Sequence, residues 1–177
     1  MNLNIVGGGQ PMYDPTAVQP MREELKAVGV EELLTAEDVD GALAHSGTTL
    51  IVVNSVCGCA AGNARPGVML ALQNKLIPDQ LKTVFAGMER EAVGKARDYM
   101  SEYQPSSPCI ALFKAGKVVR ILQRHDIEGR GPLEIAKDLA GAFNEHCERS
   151  GPSIPREELE KIVPFQGCGS QIPRTGE

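Results

Sequence analysis

Residues 48–59 read Thr-Thr-Leu-Ile-Val-Val-Asn-Ser-Val-Cys-Gly-Cys. The run up to Asn54 is continuous and rich in β-branched side chains, which is the pattern of a strand covered on both faces. After the cysteines, Val68, Leu72 and Leu76 recur on one side of a predicted helix over residues 60–76, and Pro66 interrupts an early turn. The two cysteines are therefore expected between a central parallel strand and the helix that follows it.

The rest of the chain extends this unit into a mixed sheet. Residues 81–86 predict a second buried strand, and a helix is predicted after it from the spacing of Ala92, Ala96, Tyr99 and Tyr103. Residues 109–114 and 117–122 predict two strands, and their two-residue connection allows only an antiparallel hairpin. Further helices are predicted near the start of the chain after Pro15, after a Thr35 cap, and from Pro132. This order predicts a three-layer α/β/α sandwich with a mixed, mainly four-stranded central sheet.

Length and composition set the domain organisation and exclude some partners. The 177 residues suit one domain over residues 17–147, with a flexible N-terminal arm at 1–16 and a C-terminal tail at 148–177. The net charge of −5 gives no reason to expect nucleic acid, and we expect no membrane partner. We expect a cytoplasmic protein, because the start has no secretory pattern and no apolar run could cross a bilayer. An odd number of cysteines, five, fits that reducing compartment.

The Cys57-Gly58-Cys59 motif carries the predicted chemistry. Unpaired backbone N–H groups at a helix N-terminus favour a thiolate, so thiol–disulfide exchange is expected at Cys57. A disulfide across one intervening residue would be strained and easily reduced, and Gly58 relaxes the backbone there. Two close thiols also suit zinc or an iron–sulfur cluster, although such sites usually need four ligands and no second CxC or CxxC occurs.

A second segment resembles thioredoxins. Residues 106–116 read Ser-Ser-Pro-Cys-Ile-Ala-Leu-Phe-Lys-Ala-Gly and resemble the thioredoxin segment that starts at a cis-proline and continues into a hairpin. Together with the strand, the cysteines and the crossover, this resemblance implies a thioredoxin-like fold and a cis Ser107–Pro108 bond.

Longer blocks resemble one particular family. Residues 53–66, Val-Asn-Ser-Val-Cys-Gly-Cys-Ala-Ala-Gly-Asn-Ala-Arg-Pro, resemble the bacilliredoxins, thioredoxin-like proteins of bacteria that make bacillithiol. Residues 84–87, 105–108 and 124–129 resemble further blocks, and the similarity covers about residues 18–147. The resemblance implies removal of bacillithiol from mixed disulfides on client proteins, with Cys57 attacking and Cys59 as its neighbour. It implies no tightly bound cofactor and no metal, with bacillithiol as a low-molecular-weight thiol co-substrate.

Other residues are candidates for binding substrate or activating the thiols. They are Asn54, Gly58, Arg65, Ser107, Pro108, Cys109, Arg124 and His125. The cations among them would attract bacillithiol carboxylates and favour the thiolate. Cys109 stands where the family leads us to expect serine, and Cys168 lies in a tail beyond the family core. Cys147 is expected to be an inert core residue.

Alternatives stay open at this stage. The strand over residues 50–53 carries no carboxylate, so no internal acid serving the second thiol is evident. The chain could act as a disulfide isomerase or reductase through Cys57 and Cys59. It could instead be a metal or iron–sulfur carrier, or a redox-inactive interaction module that keeps the fold.

Overall fold

The computed structural model describes residues 9–165 and 172–175. The strands are β1 (Glu31–Glu32), β2 (Thr48–Asn54), β3 (Leu76–Ile77), β4 (Gln80–Phe85), β5 (Cys109–Lys114), β6 (Lys117–Leu122) and β7 (Arg149–Ser150). A five-stranded mixed sheet forms the centre, in the order β1-β4-β2-β5-β6, and a two-stranded sheet joins β3 to β7. The α-helices are α1 (Pro15–Ala27), α2 (Ala36–Leu43), α3 (Arg65–Ala71), α4 (Arg90–Asp98), α5 (Arg124–Ile127), α6 (Pro132–His146) and α7 (Arg156–Leu159).

Strand β2 is the central strand, as its apolar sequence predicts. It pairs in parallel with β4 and antiparallel with β5, and all seven of its residues are buried. Leu50 and Val52 pack in one core with α1, α3 and α6, whereas Ile51 and Val53 pack in another core with α2 and α4. The period of two along a strand explains this division. The predicted three-layer, thioredoxin-like sandwich is therefore confirmed, with five strands in the central sheet rather than mainly four.

The fifth strand adds an edge that the sequence analysis did not predict. Glu31 and Glu32 of β1 pair in parallel with Lys82 and Thr83 of β4. Two charged residues carry no strand pattern of their own, and Gly29 with φ +88 turns the chain out of α1 toward this edge.

The helix after the cysteines departs from the prediction. It starts with a π-helical segment, Ala60–Ala64, continues as α3 and ends at Ala71, not at residue 76. Pro66 has no N–H to donate, and the Arg65 N–H bonds to the Ala60 carbonyl one residue further back than in an α-helix. Leu76, which has the right spacing for the helix, instead pairs with Ser150 in the two-stranded sheet.

The segments flanking the domain pack against it where the structure describes them. The predicted tail begins at residue 148. The core formed by α1, α3 and α6 is nevertheless contacted by three side chains of this segment, Ile154, Leu159 and Ile162. In the predicted flexible arm, the Met12 N–H bonds to the Gly87 carbonyl at 2.7 Å. The two ends also meet, because the Asp14 N–H bonds to the Pro173 carbonyl at 3.0 Å. Residue 147 therefore does not mark the end of packing.

Candidate active site

The two cysteines of the motif lie where strand β2 ends and the helical segment starts. The Cys57 carbonyl accepts hydrogen bonds from the N–H groups of Ala60 and Ala61, so helical hydrogen bonding begins at Cys57. The Sγ atoms of Cys57 and Cys59 lie 2.8 Å apart, both cysteines are free, and both are partly exposed. Gly58 between them is exposed, and a side chain there would meet no atom within 4 Å. The pair therefore faces an open surface that a protein-sized substrate can approach.

The protonation of Cys59 depends on its neighbour. Burial, the hydrogen bond with Cys57 and the charge of Cys57 raise the pKa of the Cys59 thiol to about 11, and Arg124 acts in the opposite direction. Cys59 is therefore favoured as a thiol at neutral pH, with its sulfur within hydrogen-bond distance of the Cys57 sulfur.

A second loop reaches the same end of the sheet. Cys109 pairs with Val53 across β2 and β5, so the turn before Cys109 lies beside the loop that carries Cys57. The Ser107–Pro108 peptide bond in this turn is cis, and Pro108 is buried while Ser107 is partly exposed. Both residues therefore lie at the end of the sheet where the motif is found.

Cys109 itself points away from solvent. Cys109 is 4% exposed and packs in the core beside α2 and α4. This burial raises the pKa of its thiol to about 12. A hydrogen bond with Ser106 and the charge of Arg97 only partly offset that effect. Cys147 is also buried, and burial raises the pKa of its thiol, in keeping with the inert core role expected for it. Cys168 lies outside the described residues.

Helix α5 brings Arg124 to the thiols. The charges of Cys59 and Cys57 are the main causes that raise the pKa of the Arg124 guanidinium, so this cation lies within electrostatic range of both sulfurs. Its side chain is 47% exposed and pairs with Glu128 at 3.6 Å. The backbone N–H of Arg124 donates to Ser106 Oγ at 3.3 Å, which ties α5 to the cis-proline loop. His125 is more exposed and lies 3.4 Å from Asp126.

Asn63 holds α5 and its following loop against the cysteine-bearing helix. Its side-chain amide donates to the Arg130 carbonyl, and Arg130 Nη1 donates to the Asp126 carbonyl at 2.9 Å. The position of Arg124 relative to the cysteines is therefore fixed by contacts within the domain.

Arg65 does not reach the surface. Its side chain is completely buried and forms an ion pair with Glu24, so it is not placed to contact a bacillithiol carboxylate. Arg65 Nη1 donates to Asn54 Oδ1 at 3.1 Å and to the Ser55 carbonyl at 3.0 Å. Asn54 is buried as well, and its amide donates to the Met21 carbonyl at 3.2 Å. Both candidates thus lie beneath the active-site loop rather than facing substrate.

Glu24 is the residue of this region that the sequence analysis missed. It is 5% exposed and comes from α1, whereas an internal acid was sought on strand β2. The available signal was its position: Glu24 lies three residues after Met21 and next to Leu25, at the buried side of an otherwise apolar stripe. A carboxylate at a buried position is costly unless a buried hydrogen-bonding or oppositely charged group pairs with it.

No group of three or more His, Cys, Asp or Glu side chains with the spacing of a metal site occurs within residues 9–165 and 172–175. In the same ranges no helix combines the length and apolar character needed to cross a membrane.

Comparisons with known proteins identify relatives over most of the chain. The profile of the family described as Disulphide isomerase matches residues 13–147. A bacilliredoxin of Staphylococcus aureus strain NCTC 8325 is 47% identical over 137 residues, which are 77% of this chain and 94% of that protein. A bacilliredoxin of Staphylococcus aureus strain MRSA252 is 46% identical over 137 residues, and the match again covers 77% of this chain and 94% of that protein.

A solved structure also matches. The thioredoxin Mala s 13 of Malassezia sympodialis has a TM-score of 0.42 and 12% identity, covering 80% of this chain and 97% of that one. The family profile match extends from Tyr13 through the CGC motif to Cys147. The chain belongs to the bacilliredoxin family of thiol–disulfide oxidoreductases.

Proposed function

We propose that this protein removes bacillithiol from mixed disulfides on client proteins, with Cys57 as the nucleophile. The observation that carries the proposal is the 2.8 Å contact between Cys57 and Cys59 at the start of the helical segment. Burial raises the pKa values of the thiols of Cys59, Cys109 and Cys147, which disfavours each of these three as the attacking thiolate at neutral pH. The family membership supports the same assignment.

The first step is an exchange of one disulfide for another. The Cys57 thiolate attacks the bacillithiol sulfur of the mixed disulfide, and the bond between bacillithiol and the client sulfur breaks. The client leaves as a thiolate and takes a proton from solvent, while bacillithiol stays bound to Cys57 through the new S–S bond. No net oxidation or reduction occurs, because one disulfide replaces another.

The second step clears the adduct. Cys59 is close enough to attack the Cys57 sulfur, which would release bacillithiol as a thiol and leave a Cys57–Cys59 disulfide for an external thiol reductant. Free bacillithiol could attack instead and would leave as its own disulfide. The first route would also support the isomerase or reductase activity considered as the alternative, since Cys59 would then resolve each intermediate.

The exposed guanidinium of Arg124 suits an anionic co-substrate. Arg124 is within electrostatic range of both sulfurs, and His125 is next to it on the exposed side of α5. Bacillithiol carries carboxylates, so these two side chains are the proposed contacts, with Ser107 and Pro108 lining the approach. The work of such a protein fits the cytoplasm, where thiols are kept reduced.

Mass spectrometry of intact proteins tests the proposal. Wild type, Cys57→Ser and Cys59→Ser are each incubated with a bacillithiolated client, and glutathionylated client serves as the comparison substrate. We expect Cys59→Ser to accumulate bacillithiol on Cys57 and Cys57→Ser to leave the client modified. Transfer in Cys57→Ser at the wild-type rate would contradict the proposal. Stoichiometric zinc or iron in the purified wild type, lost in Cys57→Ser, would favour the metal carrier instead.

A further inference from the structure

A buried ion pair lies directly beneath the active-site loop. The side chains of Glu24 and Arg65 are 4% and 0% exposed, and Arg65 Nε donates to Glu24 Oε2. The other carboxylate oxygen, Oε1, accepts the backbone N–H of Phe165 from the C-terminal segment. Both oxygens of Glu24 are therefore engaged, which fixes the carboxylate and through it the guanidinium plane.

The pair is connected to Cys57 by consecutive hydrogen bonds. Arg65 Nη1 donates to the Ser55 carbonyl, and the Ser55 N–H donates to Asn54 Oδ1 at 2.9 Å, the same oxygen that accepts from Arg65. Ser55 Oγ then accepts the Cys57 N–H at 3.2 Å. Both the N–H and the carbonyl of Ser55, two residues before the nucleophile, are thus hydrogen-bonded to buried side chains.

We propose that Glu24 is a positioning residue for thiol exchange, which acts through Arg65 and Ser55 to hold Cys57 at the start of the helical segment. The proposal depends on the proposed function only in taking Cys57 as the nucleophile. Neither Glu24 nor Arg65 touches the substrate. The pair keeps the loop from moving the Cys57 sulfur away from the start of the helical segment and from the Cys59 sulfur, which lies 2.8 Å from it.

The form of the pair favours positioning over stabilisation. A buried ion pair can often be replaced by apolar side chains of similar size without loss of stability, so burial alone does not explain its presence. Arg65 Nη2 is buried with no hydrogen-bond partner among the described residues, a cost that an apolar pair would avoid. What an apolar pair cannot reproduce is the directed bond from Arg65 to Ser55.

The π-helical segment places Arg65 for this task. Hydrogen bonding from the Arg65 N–H to the Ala60 carbonyl inserts one extra residue before α3. Such an insertion changes which side chains face the core, and single π turns are frequent at functional sites. Arg65 is the first residue after the insertion, and it points inward between α1 and the loop.

The test separates positioning from stability with an apolar replacement of both partners. In Glu24→Leu/Arg65→Met the buried charges are removed together, so the fold is expected to persist, as judged by circular dichroism and melting temperature. The rate of Cys57 alkylation by iodoacetamide is then followed by peptide mass spectrometry across a pH series. We expect the rate at neutral pH to fall about tenfold and its pH profile to move to higher pH. A folded double variant that alkylates within about twofold of wild type would overturn the proposal.

Two further variants complete the design. Arg65→Lys keeps a cation against Glu24 but lacks the planar fork that bonds Glu24 and Ser55 at once, so we expect a loss of about threefold or more. The control is Arg22→Met/Glu89→Gln, which breaks the partly buried ion pairs of Arg22 with Glu89 and Glu32. Within the described chain these side chains have no hydrogen bond to residues 54–57, so the alkylation rate is expected to stay unchanged.

Each remaining outcome is decisive. If the Glu24→Leu/Arg65→Met variant does not fold, Arg65→Lys decides by the same comparison with wild type. If neither folds, the pair is a structural element and the proposal is wrong. Alkylation uses no bacillithiol, so failure of bacillithiol transfer in a wild-type protein with a reactive Cys57 would count against the proposed function and not against this inference.

Discussion

The Sγ atoms of Cys57 and Cys59 lie 2.8 Å apart, and this contact helps to keep the Cys59 thiol protonated. Burial is the largest cause of the raised pKa of Cys59, and the hydrogen bond and charge of Cys57 are the next two. The hydrogen bond and the charge of Cys57 raise the pKa of Cys59 only while the Cys57 sulfur is free. An adduct on Cys57 removes the charge and weakens the hydrogen bond, so Cys59 becomes easier to ionise at the moment when a resolving thiolate is needed.

We therefore predict that Cys57→Ala lowers the pKa of Cys59 from about 11. Burial and the charge of Glu128 still raise the pKa of Cys59 in the variant and Arg124 still lowers it, so the new value reflects these three causes. Thiolate absorbance in the ultraviolet, combined with alkylation of Cys59 across pH, measures the change. Cys109→Ala is the control, since that thiol is not among the causes of the Cys59 shift. An unchanged midpoint in Cys57→Ala would show that burial alone protonates Cys59.

Arg124→Gln is predicted to slow Cys57 alkylation about threefold at low ionic strength, because it removes a cation that interacts electrostatically with both thiols. The effect is modest since the Arg124 side chain is 47% exposed and its field is screened by water. Added salt should bring the rates of variant and wild type together. His125→Gln is the matched control on the same short helix, and it should change the rate less. A deficit in Arg124→Gln that persists at high salt would point to a steric or structural effect.

Strands β2, β5 and β6 were predicted at their observed bounds because their signals are local. A continuous apolar run specifies a central strand, and a two-residue connection leaves only a hairpin. The cap at Thr35 was likewise confirmed, since Thr35 and Asp38 form a reciprocal capping box. These features depend on residues that are close in sequence, so the sequence pattern is sufficient to predict them.

The features that the sequence analysis missed depend on distant partners. Glu31 and Glu32 become a strand only because β4 offers a free edge. Leu76 fits the helical spacing, but Pro66 and the π turn alter the helix before it, and Ser150 pairs with Leu76 from beyond residue 147. The burial of Arg65 was missed for the same reason: its partner, Glu24, is 41 residues away in the chain. No local pattern shows that an arginine after the motif points inward.

Gly67→Ala is predicted to destabilise the fold by about 1–3 kcal/mol, because helices α3 and α6 approach closely at this residue. A Cβ at Gly67 would lie 2.6 Å from Ile135 Cγ2 and 2.9 Å from Ile135 Cβ. Gly94→Ala in α4 is the matched control, since a Cβ there meets no atom within 4 Å. That substitution should stabilise the protein by about 0.5–1 kcal/mol through helix propensity alone. Urea denaturation of both variants measures the difference, and equal effects at the two sites would refute close packing at Gly67.

The pH dependence of stability provides the last prediction, through the buried thiol of Cys109. Burial raises the pKa of this thiol to about 12 in the folded protein, whereas an unfolded chain titrates a cysteine near about 8.5. Above the lower value the unfolded chain releases its proton while the folded protein keeps it, so the free energy of the unfolded state falls relative to that of the folded state as pH rises. The contribution of Cys109 is therefore complete below about pH 8.5 and is lost toward about pH 12, at up to about 1.4 kcal/mol per pH unit.

Cys109→Ala removes this contribution and should flatten the pH dependence. Between about pH 9 and about pH 10.5, the free energy of unfolding of the variant should fall less than that of wild type, by about 1–2 kcal/mol. The methyl group of alanine leaves a small cavity whose cost does not change with pH, so comparing the two slopes cancels it. Cys59 and Cys147 are present in both proteins and cancel as well. Urea titrations of the reduced proteins at several pH values measure the slopes, and parallel curves would mean that the Cys109 thiol ionises in the folded state as readily as in the unfolded chain.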